Sequence, residues 1–344
     1  MATVGTPRLL IVRLSHIGDA ALTVPLAYAI RDHWKEAYVA WAAEPAVTRL
    51  LRGHPAVDHI IEVPTRWLKR VRAWSSLRRE LRSHRFDIAL DPQSLLKSSA
   101  LAWLSGARMR IGFDGAHGRE GSRWLNNTLV KPQRPHLVDR SLELLEPLGV
   151  HTHAKPRFEI PIREDAIQSM NPFLARLRGE PFVAINPGAG WDSRRWPIER
   201  FAQVARWLKS HCGWRSVITW GGESEQAMAH ELQSLSCGAA VMAPPTTLNE
   251  LMALLSNAQL YFGGDTGPMH LANAVGTRCV GLYGPTRPEH SGAYGAQHLA
   301  IVAPSDAPHG GTPSKHSRDS IDSIQVGEVC QRLADYLHQH RQVG

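Results

Sequence analysis

A chain of 344 residues is longer than one hydrophobic core usually organises, so two domains of ordinary size are expected. Apolar residues make up 43% and charged residues 20%, without a long polar run, which excludes a largely disordered chain. Lys and Arg number 39 against 31 Asp and Glu, a formal net charge of +8 that favours an anionic partner: nucleic acid, an anionic membrane or a phosphorylated substrate.

Met1 to Arg8 is too polar for a signal peptide, and the apolar Leu9 to Val12 is far too short to span a bilayer, so a cytoplasmic protein is expected. Short apolar runs then recur between helical patterns: Leu9 to Leu14, Tyr38 to Ala42, His59 to Val63, Phe86 to Leu90 and Met109 to Phe113. This alternation predicts a parallel sheet covered on both faces. The same grammar restarts at Phe182 to Asn186, Ser216 to Trp220, Ala240 to Ala243, Gln259 to Phe262 and Arg278 to Tyr283, which predicts a second doubly wound sheet.

Pro156, Pro161 and Pro172 interrupt the connection between the halves. The domains are accordingly drawn as residues 1–170 and 171–325. Residues 326–344 form a closing helix expected to pack back on the first domain, after a Pro-, Gly- and Ser-rich loop over 303–320. Two open α/β domains facing across a cleft bind ligands at the carboxyl ends of their strands, so the strand-to-helix loops are where function is sought.

The first such loop, Ser15-His-Ile-Gly-Asp19, leads into a helix expected over Ala20 to Trp34. It offers Asp19 as a carboxylate, and a plain helix cap by Ser15 or Asp19 accounts for the loop equally well. Neither Gly-x-Gly-x-x-Gly nor a Walker Gly-Lys-Ser/Thr follows the strand, which removes most support for NAD-linked and P-loop readings.

In the second half, Pro187-Gly-Ala-Gly-Trp-Asp-Ser-Arg-Arg-Trp-Pro197 combines glycines, including Gly190, with Arg194 and Arg195 in a manner suited to a diphosphate. Glu225, after Trp220-Gly-Gly, suits ribose hydroxyls, although acids favour helix starts in any case. Thr247-Leu-Asn-Glu250 is a capping box and is assigned to structure. The most specific string is Gly263-Gly-Asp-Thr-Gly-Pro-Met-His270, in which the amides of Thr266 and Gly267 point toward a phosphate and His270 adds a donor. Cys212, Cys237, Cys279 and Cys330 are too widely spaced for a metal knuckle or redox dithiol and are expected to be reduced.

Ser15-x-x-Gly-Asp19, the Arg195-Trp-Pro element and Asp265-Thr-Gly-x-x-His270, in this order, resemble the bacterial ADP-heptose:lipopolysaccharide heptosyltransferases, and most closely the enzymes that add the first heptose. The resemblance runs from Leu9 to about Leu337. It implies a GT-B fold of two Rossmann-like domains and inverting transfer of heptose from ADP-heptose to the Kdo region of the lipopolysaccharide inner core, with no metal and no cofactor beyond the donor itself. Asp19 would be the general base, while Gly190, Arg194, Glu225, Asp265, Thr266, Gly267 and His270 would bind the donor. Family members commonly carry Lys where Arg194 stands, which keeps the charge but not the geometry.

Asp91-Pro-Gln-Ser-Leu-Leu-Lys97 and Gly112-Phe-Asp-x-x-x-x-Arg119 resemble acceptor-side motifs of the same enzymes, so Lys97 and Arg119 would meet Kdo carboxylates. A basic helix is expected from Arg66 to Arg85, with Trp67, Val71, Trp74, Leu77 and Leu81 near one face. Its Arg66, Lys69 and Arg70 are candidates for the anionic glycolipid acceptor, with peripheral contact at the cytoplasmic face of the inner membrane. An ordinary solvated basic face fits that periodicity too. No nucleic-acid recognition motif joins the basic residues, so no nucleic-acid partner is expected. Two alternatives stay open: a glycosyltransferase of this fold with another donor or acceptor, and a non-catalytic nucleotide- or glycan-binding protein.

Overall fold

The computed structural model describes residues 6–152, 155–304 and 319–341. The chain divides into two compact units, Met1–Pro161 and Ile162–Gly344. Each is built on a six-stranded, wholly parallel sheet.

In the first unit the strands are β1 (Arg8–Val12), β2 (Tyr38–Ala43), β3 (His59–Glu62), β4 (Ile88–Asp91), β5 (Met109–Phe113) and β6 (Thr128–Val130), in the order β3-β2-β1-β4-β5-β6. Helices α1 (Ile17–His33), α2 (Pro45–Leu51), α3 (Val71–Ser83) and α4 (Leu96–Leu104) connect them, and α5 (Leu137–Glu143) follows and packs on α1. The central strand β1 pairs on both sides, Leu10 with Ala40 and with Ala89, so Leu9 to Val12 are fully buried and need no polar face.

The second unit opens with α6 (Glu164–Arg176). It continues β7 (Phe182–Asn186), α7 (Ile198–Cys212), β8 (Arg215–Ile218), α8 (Gly222–Leu235), β9 (Ala240–Met242) and α9 (Leu248–Ser256). It closes with β10 (Leu260–Gly264), α10 (Gly267–Ala274), β11 (Cys279–Tyr283), α11 (Pro288–Ser291), β12 (Leu299–Val302), α12 (Asp319–Ser323) and α13 (Val326–Arg341). Its strand order, β12-β11-β10-β7-β8-β9, again puts the switch of winding direction at the middle of the sheet, between β7 and β10. No helix among the described residues is long and apolar enough to cross a membrane.

All ten expected strands form. The sequence reading lacked β6 and β12, short edge strands of three and four residues with one neighbour each. The boundary lies at Pro161/Ile162 instead of 170/171, which falls inside α6. The capping box explains why α6 belongs to the second unit. Thr247 N–H donates to Glu250 Oε2 at 2.7 Å, Glu250 N–H donates to Thr247 Oγ1 at 3.3 Å, and Ser169 Oγ on α6 donates to Glu250 Oε1 at 2.6 Å.

The closing helix α13 also differs from expectation. Val329, Leu333 and Tyr336 are buried in the second unit's own core, with Trp196, Phe201 and Phe262. The indole N–H of Trp196 donates to the Ile324 carbonyl at 3.0 Å and fixes the turn that precedes α13. The expected loop over 303–320 lies largely outside the described residues.

The basic segment 66–85 is not one helix. Arg66 takes a left-handed conformation (φ 59°) before a single 3-10 turn over Trp67–Lys69, and Arg70 is extended, so α3 begins only at Val71. The buried Trp67 and the half-buried Trp74 still meet, with ring centroids 5.1 Å apart. The apolar side of the pattern thus holds across the break. None of the four cysteines forms a disulfide among the described residues; Cys279 is buried and Cys237 exposed.

Asp91, at the end of β4, is fully buried. Its carboxylate accepts from Ser94 N–H at 2.8 Å and from Asn126 Nδ2 at 3.1 Å, which ties the β4 turn to the segment before β6. Burial pushes the Asp91 carboxyl up to about 6, against the lowering effect of these hydrogen bonds. A folded-state value above the unfolded one means that ionising Asp91 opposes the fold: its contribution is present below pH ~4 and is lost as pH rises to about 6. The loss should be about 3 kcal/mol. In Asp91→Asn the buried Asn126 amide, whose Oδ1 has no partner, can flip to accept from the new side chain. Urea midpoints measured between pH 4 and 7 should therefore fall with pH more steeply in the wild type than in Asp91→Asn; an equal fall in both would rule out Asp91 as the cause.

Candidate active site

In the first unit the site begins at the carboxyl end of β1. An arginine, Arg13, follows four fully buried apolar residues and is itself 5% exposed, so its charge requires a partner. Asp19 supplies it: the Arg13 guanidinium forms a short ion pair with Asp19 Oδ2, leaving the Asp19 side chain about one-third exposed, at 34%. The helix starts three residues earlier than the sequence suggests, and Asp19 is the third residue of α1, not part of the loop before it. His16 is the N-cap residue, in a left-handed conformation (φ 67°) with no side-chain cap, and its Nδ1 lies 3.8 Å from Asp19 Oδ2. A non-glycine residue in that region stores strain, and such strain concentrates at functional turns. The Asp19 carboxylate is held by Arg13 instead of capping the helix.

Around this turn the β4 loop closes in. Gln93 Oε1 accepts from Leu14 N–H at 2.9 Å, and Arg13 NH1 donates to the Pro92 carbonyl at 3.3 Å. Lys97 Nζ reaches Ser15 Oγ at 2.8 Å and Glu44 Oε1 at 3.4 Å. Arg119, exposed at its side chain, anchors through its backbone N–H to the Ser94 carbonyl at 3.1 Å. Lys97 thus bonds to the turn that precedes Asp19, and Arg119 is tied through its backbone to the β4 loop. Arg66, Lys69 and Arg70 stand exposed on the separate segment between β3 and α3.

Two arginines were missed by sequence reasoning. Arg13 was legible as a charge inside an apolar strand. Arg140 on α5 was not, because nothing local distinguishes it from a surface residue. It is half-buried and lies in the field of Arg13, Asp19, Glu143 and Arg119. Burial, then the like charge of Arg13, lowers its pKa.

In the second unit, loops from the carboxyl ends of β7, β8 and β10 converge. Asp265, 3% exposed, follows β10. Arg194 NH1 donates to its backbone carbonyl at 2.8 Å and lies 3.5 Å from Oδ2, while His270 Nε2 lies 3.5 Å from Oδ1. Burial raises the Asp265 carboxyl, but hydrogen bonding and charge from His270 and the charge of Arg194 outweigh it, so its pKa lies below the usual carboxylate range. The Arg194 guanidinium also stacks 4.4 Å from the Trp191 ring centroid. Arg195 faces elsewhere, toward the Ala189 carbonyl and Asp192.

Thr266, not Asp265, is the N-cap of α10, and Pro268 occupies the first turn. The Thr266 side chain makes no cap bond, which leaves the first-turn amides and the positive dipole end of this helix suited to an anion. His270 is buried, and its Nδ1 has no partner.

Glycines let these loops approach closely. A Cβ on Gly264 would come 3.1 Å from the Arg194 carbonyl, and one on Gly188 would come 2.2 Å from the Glu225 carboxyl. Open space lies over Gly190. Glu225 accepts from Gly221 N–H at 2.8 Å, and burial raises its pKa. The donor-side residues named from the sequence therefore cluster, and Gly188 joins them for a steric reason that the motif alone did not show. Among the described residues no group of three or more His, Cys, Asp or Glu side chains is arranged to hold a metal ion.

Residues 74–318 match the family described as glycosyltransferase family 9 (heptosyltransferase). The lipopolysaccharide core heptosyltransferase OpsX of Haemophilus influenzae is 27% identical over 290 residues, covering 83% of this chain and 81% of its own. Lipopolysaccharide heptosyltransferase 1 of Pseudomonas aeruginosa is 27% identical over 303 residues, covering 86% and 83%.

Among solved structures, a family 9 glycosyl transferase from Veillonella parvula superposes with a TM-score of 0.80 at 23% identity, covering 97% of each chain. The E. coli heptosyltransferase WaaC with ADP superposes with a TM-score of 0.75 at 22% identity, covering 96% of this chain and 98% of its own. These likenesses identify the two-sheet fold as that of the GT-B glycosyltransferases. With the family match spanning well over half of its length, the chain belongs to glycosyltransferase family 9, the heptosyltransferases, and is an enzyme.

Proposed function

We propose that this enzyme transfers heptose from ADP-heptose to the Kdo region of the lipopolysaccharide inner core, with inversion and without a metal, at the cytoplasmic face of the inner membrane. The observation that carries the reading is the pairing of Asp265 with Arg194 and His270 beside the uncapped start of α10. A nucleoside diphosphate leaves with growing negative charge, and fixed amides and cations offset that charge without reorganising during the reaction. The donor finds support in the E. coli WaaC structures with ADP and with ADP-2-deoxy-2-fluoro heptose, and the first-heptose step in the relatives named heptosyltransferase 1.

In this reading Arg194, Thr266, Gly267 and His270 hold the diphosphate, Gly190 leaves room for it, Asp265 orients the cations and meets the sugar, and Glu225 accepts from the ribose hydroxyls. Asp19, steadied by Arg13, removes the proton from the acceptor hydroxyl as that oxygen attacks the anomeric carbon from the face opposite the leaving diphosphate. Lys97 and Arg119 take the acceptor's carboxylates, with Arg140 adding positive charge to the same surface and Arg66, Lys69 and Arg70 meeting the acceptor's outer anionic groups.

Asp19→Asn should lower transfer to Kdo-lipid A by about 100- to 10,000-fold while ADP binding by calorimetry is unchanged. Transfer near the wild-type rate, followed by product mass, would remove Asp19 as the base. Arg194→Ala strands the buried Asp265 charge and should weaken ADP binding by about 2 kcal/mol or more, with Arg194→Lys recovering part of it. Unchanged ADP affinity in Arg194→Ala would show that the diphosphate is held elsewhere. Gly188→Ala should push Glu225 off its seat and raise the ADP dissociation constant about tenfold, whereas Gly190→Ala, facing open space in the free protein, should leave stability unchanged in a thermal melt.

A further inference from the structure

Among the described residues of the first unit, four large apolar side chains are exposed: Leu96 (42%), Trp103 (51%), Trp124 (80%) and Leu129 (40%). They do not scatter. Leu96 and Trp103 are seven residues apart on α4, and so share one face of that helix. Trp124 lies on the short 3-10 turn Ser122–Trp124, which packs against α4 and β5, and Leu129 lies on β6, the strand paired with β5. The exposed large apolar residues of the second unit, Ile167, Leu235 and Val302, sit singly on α6, α8 and β12 and need no explanation.

Neither tryptophan is held by the core. The Trp124 ring folds over its own chain, where a Cβ on the left-handed Gly121 would come 3.0 Å from it. Two indoles left in water cost apolar hydration that burial would recover, and indole is the side chain best suited to a polar–apolar boundary.

The surroundings are basic. Between Leu96 and Lys131 the sequence has six Lys and Arg against two Asp and Glu. The neighbouring α3, which packs on α4, carries four arginines and one glutamate, and its exposed Arg82 reaches beside Gly106, just past the end of α4.

We propose that this surface, with Trp103 and Trp124 as its anchors and Arg78, Arg79, Arg82, Arg108 and Arg123 as its rim, docks on an anionic lipid bilayer. Positive charge complements acidic headgroups, and the indoles settle at the boundary between headgroups and acyl chains. The proposal deepens the reading of a membrane glycolipid acceptor by naming the surface that brings the enzyme to it, and it rests on that reading for its purpose but not for its geometry.

The test is pelleting of the full chain with vesicles of phosphatidylcholine containing about 30% phosphatidylglycerol, and with phosphatidylcholine alone. Wild type should bind the anionic vesicles and lose binding when salt shortens the screening length from about 10 Å to about 3 Å. Trp103→Ser with Trp124→Ser, and separately Arg78→Gln, Arg79→Gln and Arg123→Gln together, should each weaken binding about tenfold or more. Both variants should keep the wild-type melting temperature and ADP affinity.

Transfer to a deacylated, water-soluble Kdo acceptor should be unchanged in both variants, while transfer to vesicle-embedded acceptor falls. Failure of wild type with the soluble acceptor would count against the proposed reaction and leave the docking result standing. Wild type that ignores anionic vesicles, or tryptophan variants that bind them as tightly as wild type, would overturn the docking surface. A dimer seen by sedimentation in the wild type and lost in the tryptophan variant would overturn it too, assigning this face to a second copy of the chain. If the double variant fails to fold, Trp124→Ser alone, at the more exposed position, is held to the same outcomes.

Discussion

A buried carboxylate governs the second unit. Asp265 is nearly inaccessible to water, and an unpaired charge in that position would cost far more than a domain can spare. Its ionised form persists because Arg194 from the β7 loop and His270 from the first turn of α10 face its two oxygens. This requirement explains much of the local sequence. Gly264 lets the chain at Arg194 approach β10, Trp191 stacks on the guanidinium, and Trp196, two residues on, anchors this loop to the turn before α13. Removing Arg194 takes away the permanent cation that faces this buried carboxylate, so the members of the cluster depend on one another.

The first unit solves a related problem with less burial. Arg13 is inside and Asp19 is nearer the surface, so the paired carboxylate stays partly open to water. Asp91, deeper in the same sheet, accepts hydrogen bonds from Ser94 and Asn126, and burial raises its pKa despite them. Three carboxylates near the carboxyl ends of parallel strands thus differ in proton affinity or accessibility according to what faces them.

The doubly wound halves were legible because fully buried parallel strands must be continuous apolar runs, and Leu9 to Val12 or Phe182 to Ile185 admit no other placement. The edge strands β6 and β12 escaped because a strand with one neighbour needs neither length nor uniform burial. The 66–85 segment kept its helical period in composition but broke at Arg66 and Arg70, where two backbone conformations outside the helical region turn the chain. The assignment of α6 to the second unit was set by Ser169 meeting Glu250, residues far apart in sequence.

By itself the sequence determined the two sheets, the placing of chemistry in strand-to-helix loops and the family, since these follow from local periodicity and short motifs. Tertiary structure alone decided which charges meet. It put Arg13 on Asp19, Arg194 against the Asp265 carboxylate, the Gly188 space under Glu225, Arg140 within the field of Asp19, and the indoles of Trp103 and Trp124 outside the core. The physical reason is that backbone periodicity is encoded within a few residues, whereas a charge pair or a close approach depends on where chains distant in sequence are brought together.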